Sequence, residues 1–112
     1  MIAVIFEAET NDDQRQQYLD AAAVLRPLLA DIPGFISIER FSSLTDPHKV
    51  LSLSFWRDEE AVRQWRNLPA HRSVQMQGRS HIFKDYRLRV AAVLRDYGRV
   101  NRTQAPEDSR AV

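Results

Sequence analysis

The segment Leu51-Ser52-Leu53-Ser54-Phe55-Trp56-Arg57-Asp58-Glu59-Glu60-Ala61-Val62-Arg63-Gln64-Trp65-Arg66 changes its hydrophobic period half-way. Up to Trp56 the residues alternate. Leu51, Leu53 and Phe55 share one side and Ser52, Ser54 and Trp56 the other, the pattern of a strand that begins at Lys49. Beyond Arg57 the period lengthens: Ala61, Val62, Trp65 and Leu68 form the apolar stripe of a helix. The acids at 58–60 suit a helix N-terminus, with Asp58 as the cap.

The flanks extend this strand-then-helix unit. Upstream, Phe35 to about Ser43 is a second alternating run, and Thr45-Asp46-Pro47-His48 has turn composition, so the two runs pair as an antiparallel hairpin. Ile2 to Ala8 reads as a first strand. Thr10 and Asp13 have the spacing of a capping-box start, and Tyr18, Ala22, Leu25, Leu29 and Ile32 recur at helical spacing behind them. Pro27 within this stripe should kink or restart the helix, and Pro33-Gly34 should end it. Downstream, Pro69 is placed to be the first residue of a further helix reaching about Gly78 or Ser80. Tyr86 to Tyr97 reads as the last strand.

The order is β-α-β-β-α-β: a ferredoxin-like α+β fold with one four-stranded antiparallel sheet and helices on a single face. The other face carries aliphatic and aromatic residues, and an apolar sheet face calls for a partner sheet; a homodimer is the simplest one. A charge at Leu88 or Val90 would test this, provided that phase of the last strand faces the partner. The domain is expected over 1–98. Residues 99–112 are largely polar and read as a disordered tail.

Composition narrows the function. With 112 residues, 44% hydrophobic and 28% charged, the chain has room for one domain. Sixteen basic against fifteen acidic residues leave +1, which argues against a nucleic-acid or acidic-membrane binder. The absence of cysteine excludes disulfides, thiolate metal sites and a catalytic thiol. No run is long enough for a membrane span, and Met1 to Phe6 is too short for a signal peptide core, so the expected address is cytoplasmic. Three glycines, at 34, 78 and 98, make no phosphate loop. His71 and His81 have no acid between them, a poor metal pattern, so no metal and no cofactor are expected.

Pro33-Gly34-Phe35-Ile36-Ser37, the Phe55-Trp56 pair before the acidic helix with Trp65, the His71-Arg72 pair and Asp85-Tyr86-Arg87-Leu88-Arg89 together resemble the antibiotic biosynthesis monooxygenase family over about residues 1–98. The resemblance implies a dimeric α+β barrel, two ferredoxin-like sheets packed face to face. It also implies cofactor-independent monooxygenation of a small aromatic or polyketide-like substrate by molecular oxygen. The alternative on the same scaffold is a non-catalytic small-ligand or haem-binding module. The family's haem-degrading branch has an Asn on the first strand, a Trp on the second helix and a His ten residues later. Trp65 matches, but position 75 is Gln75 and Met1 to Glu9 holds no Asn.

Cofactor-free oxygenation needs a base, donors for a developing oxyanion and apolar walls. His71 is the candidate base, since imidazole titrates near neutrality. Trp65 joins it as a catalytic candidate, and Asn67, Arg79, Tyr86 and Trp56 are candidates for holding substrate. Either tryptophan could instead be core. His81 has a weaker case than His71, and His48 follows a turn proline and should face solvent. The cleft is expected between helices and sheet, walled by Trp65 with His71 near its mouth, because the break at Asn67-Leu68-Pro69 leaves room and unpaired polar atoms.

Overall fold

β1 (Ile2–Glu9) runs through the middle of the sheet, antiparallel to β3 (Lys49–Trp56) on one side and to β4 (Asp85–Ala92) on the other. β2 (Phe35–Ser42) pairs with the outer edge of β3, so the strand order is β2-β3-β1-β4. Helices α1 (Asp12–Leu29), α2 (Glu59–Arg66) and α3 (Pro69–Gln77) complete the ferredoxin-like order. This computed structural model describes residues 1–77 and 83–111.

Asp58 caps α2 as its position implies, its Oδ1 accepting the Ala61 N–H at 2.9 Å. Pro69 opens α3. Gly34 is required twice over. Its φ is +93°, and a Cβ there would stand 2.9 Å from the Ala61 Cβ. Its carbonyl also accepts the Arg57 N–H at 2.7 Å, tying the start of α2 to the turn that ends α1.

Three expectations need correction. The N-cap of α1 is Asn11, not Thr10, and Gln14 reaches back to the Asn11 N–H at 2.9 Å. Thr10 is buried and its N–H is taken by the His48 carbonyl at 2.9 Å, so it belongs to the sheet end. Pro27 does not divide α1. It lies in the last turn, where the missing N–H orphans only the Ala23 carbonyl while Leu25 and Leu29 anchor the helix in the core. β4 stops at Ala92 instead of Tyr97 because its partner runs out: Ile2 pairs with Ala92, and the Val93 N–H bonds the Met1 carbonyl at 3.0 Å.

The helices cover the face that carries Ser52, Ser54 and Trp56, all three buried. Around Trp56, the core gathers Leu29, Ile32, Ala61 and Val62. Leu51, Leu53 and Phe55 point the other way, beside Ile5 and Phe41 in register, and none of the described helices covers them. Leu88 and Val90 are opposite Phe6 and Val4 on the helix side, so the condition for testing assembly at these positions is not met. From Arg99 onward the chain forms turns and a short 3-10 helix (Glu107–Ser109). Its hydrogen bonds are local, such as Arg102 Nη1 to the Gly98 carbonyl at 3.1 Å, and Ala105 is buried.

Candidate active site

Pro69 shapes the centre of the site. In a continuing helix the Trp65 carbonyl would accept the N–H four residues on, and that residue is proline, which has none. Two other donors take its place: the Leu68 N–H at 3.2 Å and Nδ1 of His71, also at 3.2 Å. Donation from Nδ1 fixes the imidazole tautomer and leaves Nε2 with the lone pair. The ring lies flat on Trp65 (centroids 4.2 Å apart, 19° between planes), and Trp65 in turn stacks on the fully buried Trp56 at 6.3 Å. The base candidate is thus clamped to the core through two indoles.

Burial holds the His71 pKa below its ordinary 6.5 and outweighs the hydrogen bond to Trp65, which acts in the opposite direction. The imidazole is therefore neutral at pH 7, and its Nε2 is a ready proton acceptor.

Trp65 and His71 wall a cavity of about 400 Å³ between the sheet and the helices. The serines of β3 make its floor, where larger side chains would fill it. Towards its other end Phe6, Tyr18, Phe83 and Tyr86 form an aromatic cluster, with Phe6 to Phe83 at 5.3 Å and Tyr18 to Phe83 at 5.2 Å. The break after α2 thus borders a cleft lined by Trp65 and His71.

Of the residues expected at the site, Trp65, His71 and Tyr86 line the same cavity, Trp65 and His71 at one end and Tyr86 towards the other. Trp56 lies beneath the wall as a platform, its Nε1–H donating to Ser54 Oγ at 2.9 Å. Asn67 does not line the cavity: its Nδ2 donates to the Arg63 carbonyl at 2.8 Å, and its Oδ1 accepts from the Arg72 guanidinium. Arg79 and His81 lie outside the described residues. His48 pairs with Asp12 at the surface, at 3.0 Å.

Sequence reasoning missed Arg40, Tyr18 and Gln75, which all line the cavity. Arg40 had left a signal, a charge in the same phase of its strand as Ile38. Tyr18 had none, since a tyrosine in a helical apolar stripe reads as core. Gln75 stands where the haem-degrading branch carries histidine, and a carboxamide is a poor iron ligand, so this wall does not fit that branch. Among the described residues no group of three or more His, Asp or Glu side chains is placed to hold a metal ion.

The family model for antibiotic biosynthesis monooxygenase matches residues 1–77. The chain belongs to that family. Over 93 residues it is 47% identical to the jasmonate monooxygenase ABM of Pyricularia oryzae, an alignment covering 83% of this chain and 43% of that protein. The chain thus spans less than half the length of this relative. It is 30% identical over 91 residues to the uncharacterised protein YqjZ of Bacillus subtilis, covering 81% of this chain and 77% of that one. In structure it resembles Rv0793 of Mycobacterium tuberculosis (TM-score 0.76, 16% identity, 87% and 98% of the two chains). A Deinococcus radiodurans protein carrying the family name has a TM-score of 0.78 at 10% identity, over 88% and 97% of the two chains. At such identities these two likenesses speak for the fold of the family.

Proposed function

We propose that this chain is a cofactor-independent monooxygenase that acts with molecular oxygen on a small aromatic or polyketide-like substrate in the helix–sheet cavity, working as a homodimer. The observation that carries this reading is His71: neutral, half-buried, fixed by the Trp65 carbonyl, with Nε2 free at the wall of an otherwise largely apolar cavity. Family membership and the name of the Pyricularia oryzae relative support oxygenase chemistry.

The chemistry asked of the site is modest. His71 Nε2 removes a proton from an activated CH2 of the substrate, and the carbanion joins O2, giving a peroxide anion that takes the proton back from His71. Loss of the second C–H proton together with hydroxide from the O–O bond yields a ketone and one water. All four electrons come from the substrate carbon. An apolar wall keeps bulk water from quenching the carbanion.

The test is oxygen consumption with anthrone and no added metal, flavin or nicotinamide. His71→Ala should lower turnover by about 10²-fold or more while the melting curve stays cooperative. In the wild type the rate should fall on acidification only below pH 6.5, because a base with a lowered pKa stays unprotonated to lower pH. Activity that survives His71→Ala and disappears with a chelator would overturn both the base and the cofactor-free reading.

A further inference from the structure

Among the described residues two guanidinium groups, Arg40 and Arg66, line the cavity, and no Asp or Glu does. The two cations differ. Arg66 is exposed at the end of α2, whereas Arg40 is half-buried and reaches in from β2. The Nε–H of Arg40 donates to the hydroxyl of the buried Tyr18 at 3.2 Å, and its guanidinium lies 5.8 Å from the centre of that ring. No carboxylate among the described residues is within ion-pair distance of Arg40. Since the Tyr18 oxygen accepts from Arg40, its own O–H proton is left to donate elsewhere. The Arg40 Nη groups likewise make no hydrogen bond among the described residues. Two kinds of donor therefore meet beside the same cavity, around one half-desolvated positive charge, with no acceptor of their own. A half-buried cation without a counter-charge is the arrangement an anion completes.

We propose that Arg40 and Tyr18 form a carboxylate clamp, so that the substrate is a small organic acid with an apolar body. This deepens the oxygenase reading and rests on it for the word substrate. The clamp and the base are held apart by the sheet. Arg40 pairs with Ser52, four residues along β3 from the Trp56 on which the Trp65–His71 stack stands, a distance of about 13 Å along the strand. The acid head is thus bound at one place while the carbon that reacts lies towards the other, with the aliphatic side chains of Val4, Ile38 and Val90 at the level between them to hold the apolar body. Arg40 and Tyr18 bind and orient; neither takes part in proton transfer.

The test is calorimetric titration of the full chain with naphthalene-2-carboxylate and with its neutral match, naphthalene-2-carboxamide, which needs no turnover. Wild type should bind the carboxylate about tenfold or more tightly than the amide. Arg40→Met should abolish that preference with little change in amide affinity, and Tyr18→Phe, which removes one donor and no charge, should reduce it in part. Equal affinity for the two probes, no binding of either, or a preference that survives Arg40→Met would each overturn the clamp. Failure of the oxygenase reading looks different: the preference for the acid persists, and no acid or neutral compound supports oxygen consumption that depends on His71.

Discussion

The two faces of β3 are inverted relative to a simple half-buried strand. Its serines and one tryptophan point towards the protein's own helices, while Leu51, Leu53 and Phe55 point away from them. An isolated domain would put the larger aliphatic side chains inwards, where burial of each contributes about 1.5–3 kcal/mol. The inversion has two consequences. On the helix side, small side chains under-fill the layer and a cavity of about 400 Å³ remains. On the open side the apolar residues call for cover from outside the chain, and a second sheet of the same kind fits that need. One strand therefore lines a cavity with one face and presents apolar residues away from the helices with the other.

The largest effect should come from spoiling the open face. Leu53→Asp would place an unpaired charge within the proposed sheet–sheet contact, a cost of roughly 3 kcal/mol or more and at least a hundredfold in dissociation constant. Light scattering at micromolar concentration should give about twice the chain mass of 13.0 kDa for the wild type and a monomer for the variant. Leu88→Asp, on the cavity side, should leave the dimer together. If Leu88→Asp dissociates the protein and Leu53→Asp does not, the assignment of the faces is reversed.

A smaller effect separates the two serines of the cavity floor. Ser54→Ala removes the acceptor of the fully buried Trp56 N–H and should cost about 1–3 kcal/mol in denaturant unfolding. Ser52→Val adds apolar volume beside the same cavity without orphaning Trp56. It should hold or raise stability while lowering anthrone turnover. Equal destabilisation by both would mean that the Trp56–Ser54 bond is not what distinguishes them.

The smallest effect should be at the C-terminus, which belongs to neither face. We propose that the domain ends near Gly98. Deletion after it should change stability by no more than about 0.5 kcal/mol, since the hydrogen bonds of that segment are local. A loss above about 2 kcal/mol would show that it packs on the sheet or on a partner.

Much of this molecule is legible from residue order. The alternation of Lys49 to Trp56, the acids after Arg57 and the prolines at 33 and 69 mark its elements, because local backbone preference and hydrophobic period are written in neighbouring residues. The position of His71 beside Trp65 was legible for the same reason: the proline break lies between them. Arg40 and Tyr18 were not, since 22 residues and two different elements separate them and only packing of α1 on β2 joins them.

By itself, then, the sequence determined the elements and their order, which follow from short-range chemistry, and it carried the motifs by which the chain resembles its family. It also determined that β3 has an apolar and a small-polar face. Which of these faces turns inward was decided only by tertiary structure, because a period of two distinguishes two sides and does not say which one the helices will cover. The same holds for the last strand, which carries strand-like alternation to Tyr97 but ends at Ala92 because β1 offers nothing further to pair with. It holds for His71 as well. A histidine in a sequence is only titratable; a carbonyl left without its N–H by Pro69 and an indole beneath the ring are what give it one tautomer and a free nitrogen at the cavity, and burial is what lowers its pKa.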